Sequence, residues 1–549
     1  MRILIDGEQG LNLEKFAGIP IYRPRYSSEV KSRIEAEMNL RSKFAPGTYS
    51  DPAIINSILQ HQFAFFSKKL RDLIPKVASR HFMEFILFQF DQASLIEDLH
   101  KQGNLTQSEA VSWGEISPRF RRAVKYLSER VVQLQPDEAP EASEELLAEL
   151  LDETWITAEE MVDLYLLSDQ TFMIFPKDTT IEIYPEGSTP FWELKLHKTY
   201  NLNQDVRRDT ANRNSFVGPE ISSPLLNIDQ HDQILGSALK DTIGASYKEA
   251  IRALRMVIEG SQPAPGGFPT LFIHSSNLVD IVSSQTLLPV KTVKTILNGF
   301  TITKTAMESE GRELWKPKQE YRAFRRAFFE MPHSSGMHIA FSKRMAMECW
   351  LQLTLNVVFN QFPIEWRSQS VDSGLATLSN LAGTWFEKTV EKNLRKIGFI
   401  GLRSIKKRIG ENKNAIYIPG DVGEIDFLGY SENGRLMIVA ECKMVQGSYE
   451  AKFFRDDMSD FVTSKKSYLN KFRRKVEWVI QNRDAVISAL SSSGIYSSAV
   501  EPGSIVTAII TFFPNIAQYF IHEYPCISLT NLMLDYQEAG KWPYSVGVY

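Results

Sequence analysis

The chain has 549 residues, 43% of them hydrophobic and 23% charged, with a net charge of −4. These are the proportions of a soluble globular protein with room for about three or four domains. No apolar run reaches membrane-spanning length, and Cys349, Cys442 and Cys526 follow neither a disulfide nor a metal-ligand spacing, which excludes a transmembrane class and a cysteine metal centre and fits a reducing cytoplasm. The opening MRILIDGEQGLNLEKF lacks the charged-then-apolar layout of a secretion signal, so export is not expected.

To about residue 50 the pattern is mixed, and Pro20 and Pro24 hold that stretch extended. From 51 to 135 apolar residues recur at helical spacing, as in Ile54, Ile55, Ile58, Leu59 and Phe63. Residues 82–90 are predicted as a buried helix and 120–134 as another. Residues 136–141 read as a linker into an acidic helix at 143–152. A second acidic helix follows, with Thr157 as N-cap and Glu160 completing a capping box. Residues 1–170 are therefore expected to be mainly helical. Their acidic faces suit a protein partner or a second copy of the chain better than phosphate.

The period then changes. Residues 172–175 and 180–184 read as a hairpin, and 191–200 as a further strand, giving a β-containing region over 171–260. The polar stretch 201–230 reads as a loop or insertion, 247–258 as a helix, and 261–267 as a linker. A helical region over 268–368 contains a helix-turn-helix pattern. Leu287-Leu288-Pro289 forms its turn, with Lys291 and Lys294 on the second helix. An ordinary helical hairpin gives the same pattern. Residues 345–362 are predicted as a core helix.

The segment from 369 to 549 opens with a helix over 375–397. A strand is expected at 416–418, then a hairpin: strand 425–430, a turn holding Asn433-Gly434, and strand 435–441. The second strand is continuously apolar, as in one buried on both faces, yet it ends Glu441-Cys442-Lys443. Alternation puts Glu441 and Lys443 on one face, and Asp426 lies on the partner strand. Two carboxylates so placed suit a hard cation such as Mg²⁺, which polarises a phosphoryl oxygen and acidifies a bound water. Lys443 is placed to orient that water or to stabilise charge on the phosphate.

Asp426 followed by Glu441-Cys442-Lys443 resembles the D…(D/E)-x-K signature of the PD-(D/E)XK, or restriction-endonuclease-like, nuclease superfamily. Residues Gly423 to Phe427 look like its Mrr-like and resolvase-like branches. The name-giving proline is absent; Ile425 precedes Asp426. The resemblance covers about 371–549. It implies a restriction-endonuclease-like α/β core behind a mainly helical N-terminal region with a β insertion, a mixed α/β chain as a whole. It also implies that Asp426, Glu441 and the Cys442 backbone carbonyl hold Mg²⁺, with Mn²⁺ able to substitute. A glutamate on the preceding helix, here Glu387, supports the metal or its water.

A loop over 446–457 and a long basic helix over 461–490 are expected next, then a buried strand at 505–513. Residues 527–536 read equally as strand or helix. Between 388 and 475 there are 19 basic and 11 acidic side chains, about +8, which leaves about −12 for the rest. Lys465, Lys466, Lys471, Arg473 and Arg474 are the candidates for phosphate contacts. The expected function is metal-dependent endonucleolytic cleavage of DNA, restrained by the N-terminal region, as in restriction or anti-phage defence. An RNA nuclease stays open, as does a catalytically silent nucleic-acid-binding or sensor protein on the same fold.

Overall fold

The computed structural model of the chain describes residues 11–544 except 137–143, 170, 172–173, 199, 219–223, 226, 261–269, 309–320, 411–414, 432–434, 448–450 and 496–502. It mixes helix and sheet and divides into two compact units. One holds the residues up to 197, 231–357 and 361–374. The other holds 198–230, 358–360 and those from 375 on. The linkers expected at 136–141 (from 137) and 261–267 lie outside the described residues, as does Asn433-Gly434. No described helix is long and apolar enough to cross a membrane.

In the first unit three of the long helices begin at a side-chain cap. Asp51 accepts from the amides of Ala53 and Ile54 at the start of Pro52–Val77, and Ser79 accepts from Phe82 at the start of Arg80–Lys101. Thr106 and Glu109 cap Gln107–Leu134 reciprocally. The apolar stripes of these helices bury Phe82, Phe90, Trp113 and Phe120 completely.

The break expected at Thr157 is absent: one helix runs Glu144–Asp169. Thr157 is fully buried and donates to the Glu153 carbonyl at 2.6 Å, one turn back, while Glu160 pairs with Arg119 at 2.8 Å. A threonine can bond its own helix as readily as cap a new one, and burial beside Trp155 decides for the first. The expected hairpin is also re-partnered. Thr179–Ile183 pairs with Trp192–Leu196 on one side and Gly47–Tyr49 on the other. Of the strand expected at 172–175, residues 172–173 lie outside the described residues and Ile174 and Phe175 are not in a strand. The helix-turn-helix pattern appears as Ser275–Thr286 and Val290–Asn298, with Leu287 left-handed between them (φ 60°) and Lys291 and Lys294 exposed.

The second unit is built on a five-stranded sheet. In chain order it has α1 (Leu202–Phe216), α2 (Gln369–Lys396, from 375), β1 (Ile400–Ile405), β2 (Ile425–Ser431), β3 (Leu436–Lys443), α3 (Ala451–Met458), α4 (Tyr468–Gln481), α5 (Arg483–Ser492), β4 (Ser504–Thr511), β5 (Cys526–Ser528) and α6 (Leu529–Ala539). The sheet runs β1-β2-β3-β4-β5, antiparallel up to β3 and parallel after it. The expected hairpin is there, with Ser431 opposite Leu436 and Phe427 opposite Ala440, and β3 is buried along its centre.

Three expectations fail in this unit, those for 201–230, 446–457 and 461–490. The strand expected at 416–418 is present as Ile416–Tyr417, paired with Arg408–Ile409 apart from the main sheet. The edge strand is β1, hidden in sequence by Gly401. That glycine is needed because a Cβ there would stand 2.4 Å from the Leu428 carbonyl oxygen. The polar stretch after 201 is α1, where Asp209 holds Arg213 one turn on (2.9 Å) and Arg213 stacks 4.2 Å over Phe513. Ionic packing of this kind leaves no apolar period to read. The loop at 446–457 contains α3, and the helix at 461–490 is two helices broken at Asn482. Residues 527–536 are the end of β5 followed by α6.

One stability consequence concerns Asp91 in the first unit. It is buried, and burial pushes its carboxyl up to about 6 against the 2.8 Å hydrogen bond donated by Ser342. An acid with a raised folded pKa binds its proton more tightly when folded. Its stabilising contribution is full below about pH 4 and is lost as the pH rises through about 6. Asp91→Asn keeps the acceptor and cannot ionise. Relative to the natural chain it is expected to gain roughly 1 kcal/mol between pH 5 and pH 7.5, measured by urea denaturation. A difference independent of pH would contradict the raised value.

Candidate functional site

Charge at the end of a buried strand is tolerated only where partners are built in. Asp426 is the second residue of β2, and Glu441 and Lys443 end β3. Asp426 is 6% exposed and Glu441 2%. Paired register stops at Phe427 opposite Ala440. One residue further, Asp426 turns its carboxylate into the ladder, and Oδ2 accepts the Cys442 amide at 2.8 Å. Lys443 Nζ lies 2.7 Å from Glu441 Oε1 and 3.4 Å from Asp426 Oδ2. The three predicted residues therefore meet in space.

Alternation sends Glu441 and Lys443 out on the same face as Met437 and Val439, whose core includes Phe472 and Val476 of α4. That helix brings a fourth charge, Lys475, which the sequence reading did not place in the site. It is 6% exposed, its ammonium bonds Glu441 Oε2, and it lies 3.8 Å from Asp426 Oδ1. Its signal was present: Lys475 falls three residues after Phe472 and four before Val479, on the apolar stripe of α4. A lysine on such a stripe requires a buried anion.

Two carboxylates and two ammonium groups thus balance. Burial first, then the charge of Glu441, push the Asp426 carboxyl above its ordinary value, against the opposing pull of Lys443, Lys475 and the Cys442 amide. Burial draws the Lys443 ammonium down, but Glu441 and Asp426 outweigh it and hold it above the usual lysine range. Lys443 is therefore a cation and a donor at neutral pH, not a base.

Glu387 is not brought into this cluster. It lies on α2, and its carboxylate accepts from the Ser404 hydroxyl of β1; no described bond joins it to Asp426, Glu441 or Lys443. Its charge acts on the Cys442 thiol, which leaves β3 on the face opposite Glu441. Ser404 stands between Arg403 and Ile405, which pair with Phe427 and Ile425, so Glu387 is held one strand away from Asp426.

The donors fit a divalent cation. Phe512 donates to the Lys443 carbonyl at 3.1 Å on the β4 side, and carbonyls alternate along a strand, so that of Cys442 turns toward β2 and Asp426. Two carboxylates and a carbonyl are hard oxygen donors of the kind Mg²⁺ takes, with other positions left to water. Among the described residues no three or more His, Cys, Asp and Glu side chains gather into a metal cage. A cation here competes with Lys475 for Glu441.

The predicted phosphate contacts divide. Lys465 and Lys466 are exposed in the turn before α4 rather than on it, and Arg474 is exposed on α4. Lys471 Nζ lies 5.5 Å from the centre of the Tyr468 ring, which Lys443 Nζ approaches at 5.1 Å. Arg473 is paired with Glu523 at 2.6 Å.

The cluster gives a direct test of its own energetics. Lys475→Met leaves Glu441 buried beside one ammonium and is expected to cost roughly 3–5 kcal/mol of stability. Adding Glu441→Gln is expected to recover most of that loss, because the unmet charge is gone. Urea unfolding of both singles and the double measures the coupling. Strict additivity would mean that the two side chains do not interact.

No protein-family model, no curated protein and no solved structure matches the chain, so what this site does is read from its own geometry.

Proposed function

We propose that the second unit is a metal-dependent nuclease of the PD-(D/E)XK type, hydrolysing phosphodiester bonds in DNA. The observation that carries this reading is the meeting of Asp426, Glu441 and Lys443 within 2.7 to 3.4 Å at the end of a buried hairpin. A charged triad of that composition has no packing reason to be there.

Asp426, Glu441 and the Cys442 carbonyl would hold Mg²⁺ or Mn²⁺. Such an ion supplies a polarised phosphoryl oxygen and a bound water of lowered pKa. Lys443 keeps its proton and donates toward the oxygen on which charge grows. Its side chain is 20% exposed against 9% for Asp426 and 2% for Glu441, so it stands at the open edge of the cluster. Lys475 orients Glu441 from beneath. Lys465, Lys466 and Arg474 supply phosphate contacts that position the strand without reading it.

The charge balance favours a second reading. Two ammonium groups already meet two carboxylates, which is what a closed ion cluster in a nucleic-acid-binding protein without chemistry also requires.

Incubation of the full chain with plasmid, linear and single-stranded DNA and with RNA, in Mg²⁺, Mn²⁺ or EDTA, separates these readings. Cleavage of DNA is expected with either metal and none with EDTA. Lys443→Ala is expected to lose about 10²–10³-fold in rate, beyond any loss of stability read separately by urea unfolding, and full activity in that variant would sink the assignment. Binding without cleavage of any substrate would establish the silent reading.

Asp426→Asn and Glu441→Gln are each expected to lose Mn²⁺ binding by calorimetry; unchanged binding in both would rule out the shared site. Changing Lys465, Lys466 and Arg474 together to Gln is expected to weaken every DNA sequence alike. The dependence of log affinity on log salt should flatten by about 0.9 per contact removed. Loss of discrimination between sequences with affinity for random DNA retained would show that these residues read bases.

A further inference from the structure

The first unit contains an open-mouthed cavity of about 460 Å³ between the helix Tyr26–Arg41 and its neighbours, within the size range of small-molecule sites. Apolar side chains wall it, among them Phe66, Phe191 and Trp192. Three polar side chains from a single helix face it: Glu29, Ser32 and Arg33.

None of the three closes a side-chain hydrogen bond or ion pair among the described residues. Ser32 is 2% exposed, and its hydroxyl makes no hydrogen bond. A buried hydroxyl in that state costs about 1–3 kcal/mol. Glu29 and Arg33 are opposite charges at the i,i+4 spacing that ordinarily closes an ion pair. Further along the same helix, Glu37 and Arg41 close at 2.6 Å. Glu29 and Arg33 make no side-chain hydrogen bond or ion pair among the described residues. The other charges at the cavity are already used. Arg119 pairs with Glu159, Glu160 and Asp163 at 2.8 to 3.2 Å, and Arg23 with Glu159 at 3.3 Å. Burial holds the Glu29 carboxyl above its ordinary value, against the opposing pull of Arg23 and Arg119, neither of which closes an ion pair with it.

We infer that this cavity is a binding site for a free zwitterionic α-amino acid with an aromatic or large apolar side chain. Glu29 takes its ammonium and Arg33 its carboxylate. Ser32 bonds whichever of the two groups reaches it, and the side chain lies against Phe66, Phe191 and Trp192. One turn of helix sets the two charges roughly 5–6 Å apart at their Cβ atoms, a span that ammonium and carboxylate on one carbon can bridge. A nucleotide fits less well, because its phosphate leaves the Glu29 carboxylate unmet and repelled.

The test is calorimetric titration of the full chain with L-tryptophan and L-phenylalanine. Alongside run tryptamine (no carboxylate), indole-3-propionate (no ammonium), glycine (no side chain) and adenosine monophosphate. One of the two amino acids is expected to bind at a single site, with each truncated probe weaker by about tenfold or more. Glu29→Gln and Arg33→Gln are each expected to weaken it about tenfold, and Ser32→Ala by less. Neither residue closes an ion pair or hydrogen bond among the described residues, so both variants should melt close to the natural chain. Absence of binding by both amino acids would overturn the inference. So would tighter binding of the monophosphate, or amino-acid binding unchanged in both charge variants. The probe series on the natural chain decides the matter even if a variant misfolds.

Discussion

A carboxylate inside a protein persists only when its charge is met, and the second unit is arranged around meeting that of Glu441. The strand that carries it is buried on both faces, so water is not available to do so. Lys443 reaches it from two residues along the same strand, and Lys475 from a helix packed on the same face. Asp426 joins by abandoning a regular ladder position and taking the Cys442 amide. The four groups are neutral as a set, but each is essential to the others. Buried ion clusters of this kind contribute little net stability compared with an apolar core.

The same constraint explains the packing around it. The core that includes Phe472 and Val476 of α4 contains Met437, Val439 and Ile505 of the sheet. On the other face Phe386 of α2 meets Phe512 in an edge contact. Apolar burial at roughly 25 cal/mol per Å² holds both helices in place, and their polar residues are then carried to fixed positions. Lys475 is delivered to Glu441 in this way, and Glu387 to Ser404 rather than to the cluster. The edge strand can lie close enough only because Gly401 and Gly429 face one another's backbone.

The first unit uses polar burial for different ends. Asp152 receives Tyr22, Arg25 and Ser28 together, tying the start of the chain to the helix Glu144–Asp169. Arg119 gathers three carboxylates from that helix. Against this dense pairing, the buried Ser32 hydroxyl makes no hydrogen bond, and the half-buried Glu29 and Arg33 beside it close no ion pair with each other.

Much of this was legible in the sequence. The hairpin with its apolar second strand and charged end was readable because β-pairing across a short turn is local. Helices of the first unit were readable from their apolar period, whereas the one cap read there, Thr157, lies inside a continuous helix. Asp426, Glu441 and Lys443 could be set on one site because alternation along two adjacent strands fixes their faces. What the sequence could not decide were the relations that depend on how elements pack. Lys475 sits 34 residues from Glu441, and only the seating of α4 on the sheet makes them partners. Helix α1 has hardly any apolar period, and Arg213, held by Asp209 on the same helix, packs on the Phe513 ring, a contact that no apolar stripe announces. Glu387 shares a helical face with core residues such as Leu394, but which strand that face meets is settled by tertiary packing, and it meets Ser404. Local pattern specifies which residues must be buried, and only the assembled core specifies what they are buried against.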